Sequence, residues 1–236
     1  MNKIIPAFKG FTPDTLQFLK DIRANNNKPW FEANRQRYQE SLLQPFQSLV
    51  GELGGLMLAI DPNMVITPAV NKTISRIYRD TRFSKDKSLF RSSMWLTFKR
   101  PCPDWKEAPV FFFEITPEGY QYGMGFYNAS RDVMDRFREK LARDPEAFLK
   151  VIDFYARKVF HLGGETYKRM VTPDLPEPLR EWYPYKSFYL ISRQRNDGRL
   201  LQRELINDLS AGFSMLAPLY HYLWDTKLEV DGGNRV

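Results

Sequence analysis

Six cations stand between Arg76 and Arg91 in the run RIYRDTRFSKDKSLFR: Arg76, Arg79, Arg82, Lys85, Lys87 and Arg91. Two carboxylates, Asp80 and Asp86, answer them. Ile77, Tyr78, Phe83, Leu89 and Phe90 are interleaved, so the charges do not gather on one solvated helix face. Basic side chains among anchoring hydrophobes suit the holding of an anion in a partly buried place, because the paired donors of arginine match phosphate and carboxylate. The expected ligand is an anionic, phosphate-bearing small molecule. Arg76, Arg79, Arg82, Lys87 and Arg91 would hold it, and Asp80 and Asp86 would orient the arginines. Phe83 and Phe90 would pin the segment to the core, and Lys168, Arg169 and Lys186 would add charge from the C-terminal half. Three other readings stand beside this one. The segment is an internal ion-pair network that braces a loop, or the chain is a non-catalytic nucleic-acid binder that stacks bases on Tyr78, Phe83 or Trp95, or it is an adaptor domain. Guanidinium groups converging on one cavity would favour the anion site.

Ser84 belongs to the candidate ligand set. It is a nucleophile only if Lys85 or Lys87 serves as its base; the commoner role of serine before charged residues is to cap a turn. No catalytic residue is assigned. Histidine chemistry has little to draw on, since His161 and His221 are the only histidines and Cys102 sits between Pro101 and Pro103. A Cys/His zinc site is excluded by that count unless carboxylates supply most ligands. A magnesium held by Asp80, Asp86 and Glu114 remains arithmetically open, but no metal or cofactor is assigned. Glu114, which interrupts an apolar run, reads either as the wet side of a strand or as a partner for a nearby arginine. Trp30, Phe31, Tyr120, Tyr122 and Phe126 read as core.

These residues must be carried by a folded scaffold. At 43% hydrophobic content the 236-residue chain has ample material for a core, which excludes disorder except at the ends. The net charge of +7 favours anionic partners, although the cations are spread along the whole chain. With a single cysteine no intramolecular disulfide can form, which fits a reducing compartment, and we expect a cytoplasmic protein. The N-terminal MNKIIPAFKG lacks a signal-peptide core, and no uncharged apolar run approaches roughly 18 residues, so no membrane partner is expected. The oligomeric state stays open.

Thr12 followed by Pro13 announces a helix, with Leu16, Leu19 and Ile22 on its apolar side. Asn25, Asn26 and Asn27 should end it through a left-handed residue. A stripe at Phe31, Tyr38, Leu42, Phe46, Leu49, Leu53, Leu56 and Ile60 marks a long second helix that Pro45 should kink or split. Gly51, Gly54 and Gly55 suggest close helix packing. Residues 61–72 read as a loop. Period-two patterning predicts strands at Ser93–Arg100, Val110–Ile115, Tyr120–Tyr127 and Ser187–Gln194. Helices follow at Ser130 and Asp144, and a last one runs from about Leu201 to Leu223. Helices, then consecutive strands, then helices indicate an α+β fold, with a mainly antiparallel sheet against the N-terminal and C-terminal helices. We expect one domain over residues 1–236, ordered from about 8 to 225, with 226–236 as a loose tail.

The segments ANNNKPWFEANRQRY (Ala24–Tyr38), RIYRDTRFSKDK (Arg76–Lys87), GMGFY (Gly123–Tyr127), TYKRM (Thr166–Met170) and YKSFYL (Tyr185–Leu190) together resemble the family called domain of unknown function 2461. The resemblance runs from about Phe8 to Trp224. It implies a bacterial or fungal protein with no assigned activity, and so supports the fold and the region without supplying a mechanism. Ser88-Leu89-Phe90 departs from the pattern, which implies a proline followed by an aromatic residue.

Overall fold

The computed structural model describes residues 5–82, 84–196 and 198–233. Phe83, one of the two expected anchors, lies outside them, as do positions 234–236. Helices open the chain: α1 (Pro13–Ala24), α2 (Lys28–Ala33), α3 (Arg35–Tyr38) and α4 (Gln44–Ile60). Strands β1 (Met94–Phe98), β2 (Pro109–Ile115) and β3 (Gly119–Phe126) follow. Then come α5 (Arg131–Arg143), α6 (Pro145–Val151), β4 (His161–Thr166), α7 (Glu177–Arg180), β5 (Tyr185–Arg195) and α8 (Leu205–Gly233). The strands make one antiparallel sheet in the order β1-β2-β3-β5-β4, as an α+β fold requires.

Local chemistry explains the helix boundaries. The Thr12 hydroxyl accepts the Thr15 N–H, the Thr15 hydroxyl accepts the Thr12 N–H, and Pro13 needs no partner in the first turn. The end of α1 corrects the expected left-handed cap: Asn25 has φ −119°. Side chains do the work instead. The Asn25 amide donates to the Asp21 carbonyl at 3.0 Å, and Asn27 caps α2 by accepting the Trp30 N–H at 3.0 Å. A π-helical turn, Gln39–Leu43, leads into α4 with right-handed helical backbone on either side, and Pro45 falls in the first turn of α4. Close helix packing at the glycines is also corrected. Gly54 lies under Ile66 of the following loop, and Gly55 faces open space.

The chain groups into two compact units, with boundaries inside β2, β3, β5 and α8. The first comprises Met1–Phe98, Phe112–Tyr122 and Arg193–Ala211. Its core sets Phe113 of β2 against Phe46 of α4 and Phe11, at ring separations of 5.9 Å each. The second comprises Lys99–Phe111, Gly123–Ser192 and Gly212–Val236. There Phe111 of β2 meets Phe213 and Tyr220 of α8 at 5.3 and 5.0 Å. Burying each such side chain stabilises the fold by roughly 1.5–3 kcal/mol.

Two expectations fail in the second unit. Residues 226–233 are not a loose tail but the last turns of α8. Thr226 is buried with its hydroxyl on the Tyr222 carbonyl, and the buried Lys227 donates to Asp231 at 3.0 Å, so polar residues that read as a tail are internally satisfied. Strand β4 was not expected at all. It pairs antiparallel with β5 from His161 opposite Ile191 to Thr166 opposite Tyr185, yet it is largely exposed and carries Gly163 and Gly164. It therefore lacks the apolar alternation that marks a strand in sequence.

Candidate functional site

The cationic segment is a loop with two short legs. Tyr78 bridges Phe90; the Arg79 N–H donates to the Leu89 carbonyl at 2.9 Å and the Arg91 N–H to the Ile77 carbonyl at 2.8 Å. Ile77 and Phe90 are buried at the root. Asn26 clamps Phe90 from both sides, accepting its N–H and donating to its carbonyl, each at 2.9 Å. Phe31 stacks on the Phe90 ring at 4.5 Å. The asparagines after α1 and the aromatic start of α2 thus fix the base of a basic loop some fifty residues away in sequence.

Residues 80–82 and 84–88 belong to the tip. The Arg79 guanidinium, 26% exposed, donates to the Asp86 carboxylate, to the Ser88 hydroxyl at 3.0 Å and to the Ser84 hydroxyl at 3.2 Å. Asp86 also accepts the Ser88 N–H at 2.9 Å. That N–H, followed by the Ser88 hydroxyl and Arg79, holds the Asp86 carboxyl below the usual carboxylate range. Ser88 therefore ties Asp86 through its N–H and Arg79 through its hydroxyl. Sequence reading left Ser88 out; its signal was its place two residues after an aspartate, the spacing of an Asx turn.

The other cations have separate partners. Arg82 grips Asp80 with two donors at 2.9 and 2.7 Å in an exposed pair. Those bonds, with Arg76 adding to the field, hold the Asp80 carboxyl far below its ordinary value. Lys87 donates to the Thr81 carbonyl at 2.9 Å, and Arg91 lies over the Trp95 ring at 4.6 Å. Arg76 and Lys85 are exposed. The structure thus brings Arg79, Ser84 and Asp86 together with Ser88, and separates Arg82 with Asp80 from Lys87 and from Arg91. Ser84 holds Arg79 rather than meeting a lysine base. The magnesium set does not assemble: Asp80 and Asp86 are on arginines, and Glu114 accepts from Gln121 at 2.6 Å. Gln121 in turn accepts from Arg193 at 3.3 Å, so Glu114 reaches an arginine only at second hand. Among the described residues no cluster of three His, Cys, Asp or Glu side chains suits a metal.

Elsewhere, His161 and His221 are exposed, and burial pushes the Cys102 thiol up, away from reactivity. Lys186 pairs with Glu165 at 2.6 Å, while Lys168 and Arg169 are exposed. No helix among the described residues is long and apolar enough to cross a membrane. A family model described as a conserved hypothetical protein, DUF2461, matches residues 14–222. None of the curated proteins compared matches the chain.

Proposed function

Given that the chain belongs to the DUF2461 family, whose description carries no activity, we propose from the loop alone that it binds a small phosphate-bearing anion at Arg79. One observation carries this reading. An exposed carboxylate, Asp86, already sits on the half-buried Arg79 guanidinium, with the Ser88 N–H as a second donor and two hydroxyls on the same arginine. A phosphate asks for the same donors and brings more charge and more acceptor oxygens. The segment's six cations against two carboxylates favour that exchange. Ser84 and Ser88 are the neighbours best placed to assist, and Asp86 is the tethered competitor. The lone Cys102 suits a reducing compartment such as the cytoplasm.

A thermal-shift screen of phosphorylated metabolites tests the proposal, because a ligand at a hundred times its Kd adds about 2.7 kcal/mol of stability. For a ligand so found, calorimetry should show that Arg79→Gln abolishes binding while Asp86→Asn strengthens it by removing the competing charge. The second reading, an internal brace, is favoured by the pairing of both carboxylates with arginines of the same loop. It requires that no anion stabilises the chain and that Asp86→Asn brings no gain.

A further inference from the structure

The second unit contains a hollow of about 360 Å³ that sequence reading did not foresee. It is lined by Tyr127 after β3, Arg131 at the start of α5, Glu165 and Tyr167 at the end of β4, and Lys186 and Tyr189 on β5. Its walls are held from behind. Arg138, buried, donates to the carbonyls of Tyr183 and Tyr185 at 3.0 and 2.7 Å and to Asp135 at 2.6 Å, and lies 5.4 Å from the Tyr167 ring. Lys186 lies 5.6 Å from the same ring. The Tyr189 ring rests over Gly163, where a Cβ would come within 2.7 Å of it. The turn after β3 is tied down by the Ala129 N–H on the Ser187 hydroxyl at 3.0 Å. Aromatic faces set in advance lose little freedom when a ligand arrives.

The lining specifies the ligand. Three tyrosines line the hollow, and Tyr127 is 69% exposed, with Trp105 and Lys106 each 5.8 Å from its ring. Arg131, with Asp135 at 3.3 Å, and Lys186, with Glu165 at 2.6 Å, are the cations at the hollow, and a phosphate there shares their remaining donors with these carboxylates. Asn128 and Ser187 add polar groups at the rim. The volume lies near the lower end of the roughly 300–1,000 Å³ of small-molecule pockets, enough for one monomer unit. We propose that this hollow binds a mononucleotide, its base on the tyrosines and its phosphate on Arg131 and Lys186. Glu165 steadies Lys186 and accepts from an exocyclic amine of the base. The proposal does not rest on the reading of the Arg79 loop.

Calorimetry of the intact chain with AMP, GMP, CMP and UMP is the test, with adenosine, inorganic phosphate and a single-stranded oligonucleotide as further probes. Tyr127 and Arg131 are exposed, so their variants should fold, which circular dichroism checks. At least one monophosphate should saturate, and Tyr127→Ala should weaken both nucleotide and nucleoside about tenfold, the scale of one lost stacking contact. Arg131→Gln should weaken the nucleotide and leave the nucleoside unchanged. The proposal is overturned if no monophosphate saturates. It is equally overturned if Arg79→Gln removes binding that Tyr127→Ala and Arg131→Gln leave intact. Affinity that grows with oligonucleotide length would make the partner a strand and also overturn it.

Discussion

Thr15 donates its hydroxyl to the Ser41 carbonyl at 2.6 Å, inside the core of the first unit. In an unbroken α-helix that carbonyl would receive the N–H of residue 45, and residue 45 is proline. A side chain of α1 thus supplies a donor to a carbonyl that Pro45 cannot serve. Thr15→Val keeps the shape and removes the donor, so it should cost about 1–3 kcal/mol in denaturant unfolding. Thr15→Ser should recover most of that. In a Pro45→Ala background the Thr15→Val cost should shrink; equal costs in both backgrounds would show that the two sites are uncoupled.

Arg37 bridges α3 to α1 by holding Asp14 at 2.6 Å and Asp21 at 2.7 Å. Its hydrogen bonds pull both carboxyls below their ordinary value. A depressed folded-state pKa gives stability that is present above the unfolded value, about 3.9 for aspartate, and lost as pH falls through the folded value. Unfolding free energy should therefore drop more steeply below about pH 4 in the parent than in Arg37→Gln. Parallel curves would sink the assignment.

Asp80 and Arg82 form an exposed pair within the loop tip. Pairs of this kind add little to stability because water and salt screen them. Asp80→Ala should leave the melting temperature unchanged within error. A clear fall would mean that Asp80 braces the loop, as the ion-pair reading holds.

Glycines give opposite outcomes in the two units. A Cβ at Gly123 would lie 1.9 Å from the Leu190 carbonyl oxygen, so Gly123→Ala should destabilise by about 1–3 kcal/mol or more through backbone displacement. Gly55 is exposed within α4 with nothing near its missing Cβ. Gly55→Ala should stabilise by about 0.4–1 kcal/mol. Reversed signs would contradict the packing described.

What the sequence showed was mostly local chemistry. Thr12-Pro13 declared a cap because capping needs only neighbouring atoms, β1 and β3 declared themselves by alternation, and β2 by a short apolar run. The Arg76–Arg91 segment was visible as a charge excess, but the partners of its members were not. Arg91 turning to Trp95, and Asn26 clamping Phe90 across sixty-four residues, are tertiary contacts with no local signature. The tyrosine hollow was invisible for the same reason, since β3, α5, β4 and β5 each contribute only one to three of its residues. α8 was read as ending early because Thr226 and Lys227 are polar by type and buried by circumstance.

The two ends of the sheet are β1, whose outer side is bonded by residues 73–75, and β4, and an uncovered end strand presents unpaired amides and carbonyls to any copy of the chain that drifts alongside. β4 is a poor template for that. Gly164 sits at φ +140°, a conformation that side chains rarely adopt, the ladder slips between Glu165 and Thr166, and Glu165 puts a charge beside the slip. The irregularities that hid β4 from the sequence pattern also spoil its edge for zipping onto a second molecule. A side chain at Gly164 would meet the Ser187 carbonyl oxygen of β5 at 2.1 Å, so no other residue can straighten β4 there without displacing its partner strand.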